Sequence, residues 1–285
     1  MELKVFNVGQ GNLNVFETAE AIVFYDFGCC KIKSKKDASE LFGKLEQYFK
    51  KNIDVYIIIS HWDIDHYILL KLLIEFLNLV NSHSLKYVIG PYQLPNCTSK
   101  KIVKSLEDLK VSIKLIKSPT VHPSMKLRGY NFYTKYNLSL NKHKIFGENC
   151  VQFELYHGTK KADRNRYSLV LKIKVCNSYL IILTGDSFYK DVNNYVLNSS
   201  DFRNIKKIYY LIPHHGGNAG KFELSKLDTV EKTLINNILS VGTNNYGHPN
   251  KQIMQNFDNI FRTDVSDDFS VNFIELCNLD YIEKL

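Results

Sequence analysis

The sequence lacks any C-x-x-C pair, and its cysteines follow no regular spacing; they stand at positions 29, 30, 97, 150, 176 and 277. This pattern argues against a disulfide framework, and the adjacent cysteines at 29 and 30 would make a poor disulfide. A basic and then apolar leader is also missing, so no signal peptide is predicted. We therefore expect a soluble protein in a reducing, cytoplasmic setting.

Long hydrophobic runs are absent too. The longest apolar stretch, residues 67–80, contains Lys71 and Glu75 and is too short to cross a bilayer. The chain also has no internal repeat, no low-complexity tract and no linker. Its 285 residues, of which 45% are hydrophobic, suffice to bury a substantial core. We expect no membrane span and a single domain over residues 1–285.

Positive charge is what the chain has in excess. It contains 37 Lys and Arg residues against 29 Asp and Glu residues, for a net charge of +8. Basic residues cluster at 31–36, 100–104, 160–166 and 206–207. A positive surface favours polyanions such as nucleic acid, nucleotides or anionic lipid. The alternative is that these lysines are simply solvated.

Apolar segments with strand character alternate with amphipathic ones, which indicates the α/β class. Strands are predicted at 3–8, 13–17, 21–27, 55–59, 86–90, 111–116, 151–156, 167–175, 179–184, 208–212, 238–241 and 271–276. Helices are predicted at 34–51, 67–80, 99–110 and 250–256. Residues 119–149 show no regular hydrophobic pattern. They fit either a hairpin or a mobile loop over a functional site.

The stretch from Ser60 to His66 organises the chain. It follows a buried strand and contains four side chains able to bind a metal, namely His61, Asp63, Asp65 and His66. Mixed imidazole and carboxylate ligands suit zinc, manganese or iron better than calcium. The competing interpretation is a polar loop that caps the following helix, but capping requires one such residue rather than four.

Further metal-binding or catalytic side chains recur where predicted strands end. These are Asp26, His61, His157, Asp186, His214 and His248. Sites built from many strand ends are typical of rigid scaffolds that position functional groups on loops. We expect Asp26 to orient a metal ligand from nearby.

Ordered motifs along nearly the whole chain resemble the metallo-β-lactamase fold superfamily. They are most similar to its branch related to the soluble domain of the competence protein ComEC. The matching segments are Val8-Gly9-Gln10-Gly11-Asn12, Asp26-Phe27-Gly28, the His61 to His66 motif, Leu155-Tyr156-His157, Asn165 to Val170, Leu183-Thr184-Gly185-Asp186, His214-His215-Gly216, Asn244 to Pro249 and Arg262-Thr263-Asp264. Gly217 stands where that branch usually has Ser, and Asn12 where it has Asp.

The resemblance implies a four-layer αββα sandwich with mixed sheets and two divalent ions, zinc or manganese. It assigns His61 and Asp63 to one ion, and Asp65 and His66 to the other. Asp186 would bridge the two ions. One of His214 or His215 would complete the second centre, with His214 as the expected ligand. His157 would be a further ligand or a substrate contact.

The same resemblance implies hydrolysis of a phosphodiester by a metal-activated water. Asp65 would also orient this nucleophile. His215 and His248 would bind the phosphate or protonate the leaving oxygen. Asn165 and Ser168 would contact the substrate or brace the site.

The expected function is a metal-dependent phosphodiesterase, a nuclease acting on DNA. Alternatives are hydrolysis of a small phosphodiester, such as a cyclic nucleotide or a phosphocholine ester, and hydrolysis of a carbon ester, lactone or lactam. A non-catalytic nucleic-acid-binding protein of the same fold is a further alternative.

Overall fold

The computed structural model describes residues 1–29, 35–80, 84–116, 143–145, 148–157, 167–197 and 199–273. Within these ranges the chain forms two seven-stranded sheets with mixed strand directions, flanked by helices. The predicted α/β class is therefore confirmed. Asn165 and the basic cluster at 160–166 lie outside the described residues, as does most of the irregular segment 119–149.

The first sheet has the order β14-β1-β2-β3-β4-β5-β6. Its strands are β1 (Glu2–Val5), β2 (Leu13–Glu17), β3 (Ala21–Phe27), β4 (Asp54–Ile58), β5 (Leu85–Pro91), β6 (Ser112–Ile116) and β14 (Phe269–Asn272). Strands β3 to β6 run parallel, so their carboxyl ends meet at one edge of the sheet. All seven residues of β3 are buried, as expected for a parallel strand that is covered on both faces.

The second sheet has the order β13-β12-β11-β10-β9-β8-β7. Its strands are β7 (His143–Ile145), β8 (Glu148–His157), β9 (Leu169–Val175), β10 (Tyr179–Leu183), β11 (Lys207–Leu211), β12 (Ile235–Leu239) and β13 (Ile260–Arg262). Strands β9 and β10 pair antiparallel, which confirms the predicted hairpin around residues 176–178. Strands β10 to β13 run parallel.

The longer helices pack against the first sheet, and the other helices are short. In chain order, the helices are α1 (Lys35–Lys50), α2 (Ile64–Tyr67), α3 (Leu70–Val80), α4 (Cys97–Asp108), α5 (Tyr189–Asp191), α6 (Lys251–Met254) and α7 (Thr263–Ser266). A π-helical turn covers Val192–Val196, and 3₁₀ turns cover Ser199–Phe202, Pro213–Gly216, Leu227–Thr229 and Lys232–Leu234. No helix among the described residues is long and apolar enough to cross a membrane.

Apolar side chains form three buried clusters. One lies between the sheets, where the Phe16 and Phe153 rings meet edge-on at 5.8 Å. A second joins the other face of the first sheet to the longer helices, and Phe24 stacks there on Phe49. The third covers the other face of the second sheet, where Tyr210 stacks on Phe257.

Two predictions from the sequence are wrong. The predicted helix 67–80 is broken, because Leu69 N–H donates to the carbonyl of Phe27 (3.1 Å) and not to a helical carbonyl. As a result, α2 begins at Ile64, inside the predicted metal-binding motif, and α3 begins at Leu70. Cys176 is disulfide-bonded, which the cysteine spacing did not predict. The cysteine spacing therefore no longer supports the predicted reducing environment.

A buried charge network braces the outer face of the second sheet. The Nζ atom of Lys172, which is 2% exposed, lies 2.6 Å from Glu154 Oε2 and 2.8 Å from Asp201 Oδ2. Lys174 approaches the other oxygen of Asp201 at 3.1 Å. Burial would raise the pKa of Asp201, but hydrogen bonds from Lys172 and Lys174 hold it below its ordinary value. The network thus keeps its charges compensated inside the protein.

We expect Lys172→Met to lower the free energy of unfolding by about 2 kcal/mol. Breaking a buried pair costs roughly 3–5 kcal/mol when a charge is left uncompensated, but here Asp201 keeps Lys174. Urea denaturation measures the change. The control is Lys86→Met, because Lys86 and its partner Asp54 are both exposed, and we expect a change of about 0.5 kcal/mol or less. Equal effects of the two substitutions would contradict a structural role for the network.

Candidate metal centre

The loop that carries the motif lies at the carboxyl end of β4, between the two sheets. Leu169 N–H, at the start of β9, donates to the Ser60 carbonyl at 2.8 Å. The backbone of Asn12 donates to the carbonyl of Asp65 at 3.2 Å. Gly28 allows β3 to pass against this loop, since a Cβ there would overlap the Asp65 carbonyl. Neighbouring backbone from both sheets therefore holds the loop in place.

Histidine and aspartate side chains gather there into two groups that could hold a metal ion. The first cluster is His61, His66 and Asp186, and the second cluster is Asp65, His66 and His215. Within each cluster the ligand atoms all lie within 4.8 Å of one another. His66 belongs to both, so the two clusters are contiguous. Asp65 and His66, from the stretch after β4, are thus brought close to Asp186, which was predicted from a separate motif.

Distances in the second cluster suit a small cation. Nε2 of His66 lies 3.9 Å from Asp65 Oδ2, and Nε2 of His215 lies 3.6 Å from the same oxygen. Oδ1 of Asp186 lies 3.3 Å from His66 Nε2 and 3.8 Å from His215 Nε2. Zinc bonds of about 2.0–2.1 Å place tetrahedral ligands about 3.4 Å apart. The ligand atoms of Asp65, His66 and His215 are therefore grouped closely enough to hold one ion, and Asp186 Oδ1 approaches them from the neighbouring first cluster.

The first cluster lies on the other side of Asp186. Nε2 of His61 is 3.7 Å from Asp186 Oδ2 and 3.6 Å from Asp63 Oδ2. The two oxygens of Asp186 thus face different clusters, which is the arrangement that a bridging carboxylate requires.

Several ligand-type atoms of the clusters are buried and unsatisfied. Nε2 of His61, His66 and His215 and Oδ1 of Asp186 find no hydrogen-bond partner within the described ranges. Buried polar atoms are normally hydrogen-bonded, so such a convergent set requires an explanation. Cations held in the two clusters would satisfy all four atoms, so the residues present fit metal ions.

Hydrogen bonds to the other ring nitrogens orient the histidines. Nδ1 of His66 lies 2.8 Å from Asp26 Oδ2, and Nδ1 of His215 lies 2.7 Å from the Ser240 carbonyl. When Nδ1 carries the proton, the Nε2 lone pair is free to bind a metal. Asp26 also accepts hydrogen bonds from the backbone and hydroxyl of Ser60 (2.6 and 2.9 Å). The expected position of Asp26, next to a histidine of the site, is confirmed.

Attraction to the neighbouring histidines keeps the carboxylates of Asp65 and Asp186 ionised. Burial opposes ionisation of Asp65, but His66 and His215 lower its pKa to about 2. Burial likewise opposes ionisation of Asp186, yet His66 and His214 hold its pKa well below the ordinary value. Burial acts to lower the pKa of His66, but the surrounding carboxylates raise it well above normal. The clusters present concentrated negative charge, which attracts cations.

Of the adjacent histidines, His215 lies in a cluster and His214 does not. Both residues have left-handed backbone conformations, with φ of 54° and 52°. This turns His214 Nδ1 toward Asp186 Oδ2 at 2.7 Å and His215 Nε2 toward Asp65. Of the two histidines between which the sequence could not decide, the geometry therefore favours His215 as the ligand and leaves His214 to orient Asp186.

The remaining predicted residues are less central. His157 ends β8 at the same edge and packs against the Tyr167 ring at 6.0 Å, but it is not a member of either cluster. Ser168 is fully buried, and its hydroxyl finds no hydrogen-bond partner among the described residues, so its expected role stays a prediction. His248 packs edge-on against His214 at 4.8 Å.

Sequence reasoning missed two supporting residues. Ser60 holds Asp26, and its position immediately before His61 was a usable signal. Ser240 anchors His215 through its carbonyl, and its hydroxyl donates to the carbonyl of Gly11 at 2.8 Å. No sequence pattern identifies Ser240, because its role depends on the backbone.

No protein-family model matches the chain, and no curated protein matches it. The resemblance to the metallo-β-lactamase superfamily therefore stays a prediction.

We expect Asp26→Asn to weaken metal binding by about 10- to 100-fold, as is typical when the partner of a ligating histidine is changed. Asp26 has φ of 59°, a conformation that Asn adopts readily, so the substitution isolates the carboxylate. Competition with a chromophoric chelator measures the affinity for zinc and manganese. Asp54→Asn, at the opposite end of β4, is the control; equal affinities of the two variants would remove Asp26 from the site.

Proposed function

We propose that this protein is a metal-dependent hydrolase that cleaves phosphodiester bonds in DNA. We further propose that its two sheets and flanking helices form the four-layer αββα sandwich of the metallo-β-lactamase superfamily. The three apolar clusters, one between the sheets and one on each outer face, support that arrangement.

One observation carries the proposal. Three imidazole nitrogens and one carboxylate oxygen converge, buried and without hydrogen-bond partners in the described part of the chain. The contributing residues come from the loop after β4 and from the turns after β10 and β11. An unsatisfied polar atom costs free energy to bury, so the convergence of these four supports a bound cation at this place.

Each side chain has a distinct task under this proposal. His61 and Asp63 would hold one zinc or manganese ion, and Asp65, His66 and His215 the other, with Asp186 between them. When bound, two such ions supply a water of lowered pKa and positive charge beside the phosphoryl oxygens. Asp26 and Ser240 keep the ring nitrogens of His66 and His215 aimed inward.

Two histidines outside the clusters, His214 and His248, have different tasks under this proposal. His214 orients Asp186 through its 2.7 Å hydrogen bond. His248, half-buried beside His214, would give a proton to the leaving oxygen. The net charge of +8 supports a polyanionic substrate.

The test is incubation with linear, circular and single-stranded DNA, with RNA and with cyclic dinucleotides, in zinc or manganese. We expect DNA cleavage that a chelator stops. Cleavage of cyclic dinucleotides alone would favour the small-phosphodiester alternative, and DNA binding by the metal-loaded protein without cleavage would favour a non-catalytic binding protein. No cleavage of any phosphodiester would overturn the proposal.

A further inference from the structure

A tyrosine stands exposed on a well-braced loop beside the metal centre. Tyr246 lies between β12 and α6 and is 76% exposed. The Asn244 side chain organises this loop, since its Oδ1 accepts from the backbone of Tyr246 (3.0 Å) and of His248 (3.1 Å). Its Nδ2 donates to the carbonyls of Gly242 and His248, each at 2.8 Å. The loop therefore presents the aromatic ring to solvent from a defined backbone.

Rings lead inward from Tyr246 to the clusters. The Tyr246 ring stacks on His248 at 6.0 Å with an interplanar angle of 26°. His248 meets His214 at 4.8 Å, and His214 bonds to Asp186. The His248 ring also lies against Gly217, where a Cβ would overlap it. The rings of Tyr246, His248 and His214 therefore pack one against the next, and the last of them contacts Asp186.

The centre is open to solvent on this side. The side chains of Asp63, Asp65 and His214 are 33%, 25% and 21% exposed. Those of His61, His66, His215 and Asp186 are buried. The clusters are therefore accessible past Asp63, Asp65 and His214, and a substrate that extended beyond His214 would meet His248 and Tyr246.

We propose that Tyr246 is the stacking platform for a nucleobase next to the phosphodiester held at the metal centre. The inference rests on the proposed function and deepens it. Every base offers a π-face to a tyrosine, so the contact accepts any sequence. It requires an unstacked base, because bases inside a duplex are covered on both faces. The substrate class is therefore single-stranded nucleic acid, or a nucleotide with a free base face.

The experiment compares two chains of equal length, oligothymidylate and an abasic analogue with the same phosphodiester backbone. The proteins are wild type, Tyr246→Phe, Tyr246→Leu and the control Leu79→Ala, which removes another exposed apolar side chain. We expect Tyr246→Leu to lower kcat/KM on oligothymidylate by roughly 5- to 100-fold. Tyr246→Phe and Leu79→Ala are expected to match wild type, and all four proteins should cleave the abasic chain equally well.

Binding measured by fluorescence anisotropy in EDTA separates this inference from the proposed function. Suppose that wild type cleaves neither chain but binds oligothymidylate more tightly than the abasic chain, and that Tyr246→Leu loses this difference. That result would overturn hydrolysis and support stacking. Cleavage of both chains with equal effects of Tyr246→Leu on each would overturn stacking and leave hydrolysis standing. Equal cleavage of paired and single strands would also contradict the stacking role, and neither cleavage nor base-dependent binding would overturn both proposals.

Discussion

Replacing Asp186 with asparagine is expected to reduce phosphodiester hydrolysis by at least about 10³-fold while the protein stays folded. Each oxygen of Asp186 faces a different cluster, so the amide removes a negative charge from both. A metal ion contributes several kcal/mol of charge stabilisation in such reactions, and each 1.36 kcal/mol is about tenfold in rate. Single-turnover assays in manganese or zinc, with far-ultraviolet circular dichroism for the fold, measure the two effects.

Asp228→Asn is the matched control, because Asp228 is an exposed aspartate in a 3₁₀ turn. It should turn over substrate within about twofold of wild type, as surface substitutions usually change little. An Asp186→Asn variant with undiminished cleavage would exclude the bridging role.

Gly28→Ala is expected to destabilise the protein by about 3 kcal/mol or more and to weaken metal binding. The added Cβ would overlap the backbone carbonyl of Asp65 and lie 2.6 Å from the Cα atom of His66. These backbone atoms cannot move aside as the end of a flexible side chain can. Overpacking of a buried site costs about 1–3 kcal/mol or more. Thermal denaturation and a metal titration follow the two losses.

Gly43→Ala is the control within the same chain. Gly43 lies in α1, and a Cβ there would meet nothing within 4 Å. Alanine is favoured over glycine in a helix by about 0.5–1 kcal/mol, so this variant should be slightly more stable than wild type. If both glycine substitutions had the same effect, close approach of β3 to the metal loop would not be the cause.

Much of the centre could be predicted because local sequence and strand direction agree. The loop from Ser60 to His66 follows a buried strand, and parallel strands deliver their carboxyl ends to one edge. Asp26 and Asp186 lie at or just beyond strand ends, so their approach to the loop follows from topology. Strands 13–17 and 21–27 form with the predicted bounds, since their apolar runs are short and flanked by turns.

The roles of His214 and His215 could not be predicted in the same way. Adjacent residues offer the same chemistry, and the sequence contains nothing that distinguishes their directions. Two successive left-handed residues decide it, by sending one ring to Asp186 and the other to Ser240. Such conformations are uncommon outside glycine and depend on the surrounding structure.

The broken helix after the motif has a similar cause. Periodicity of apolar residues extends through 67–80, and no proline or glycine interrupts it. A tertiary hydrogen bond from Leu69 to Phe27 competes with the helical one and ends α2 there. Local pattern cannot reveal a partner that lies 42 positions earlier in the chain.

Asp65 and His66 follow a strand of one sheet, whereas Asp186 and His215 follow strands of the other. A cation held by Asp65, His66 and His215 would therefore connect the two sheets. Its binding energy would be linked to folding, so that each tenfold rise in free metal above the dissociation constant adds about 1.4 kcal/mol of stability. Chelators used in purification would therefore lower the stability of the whole protein, in addition to removing activity at the site.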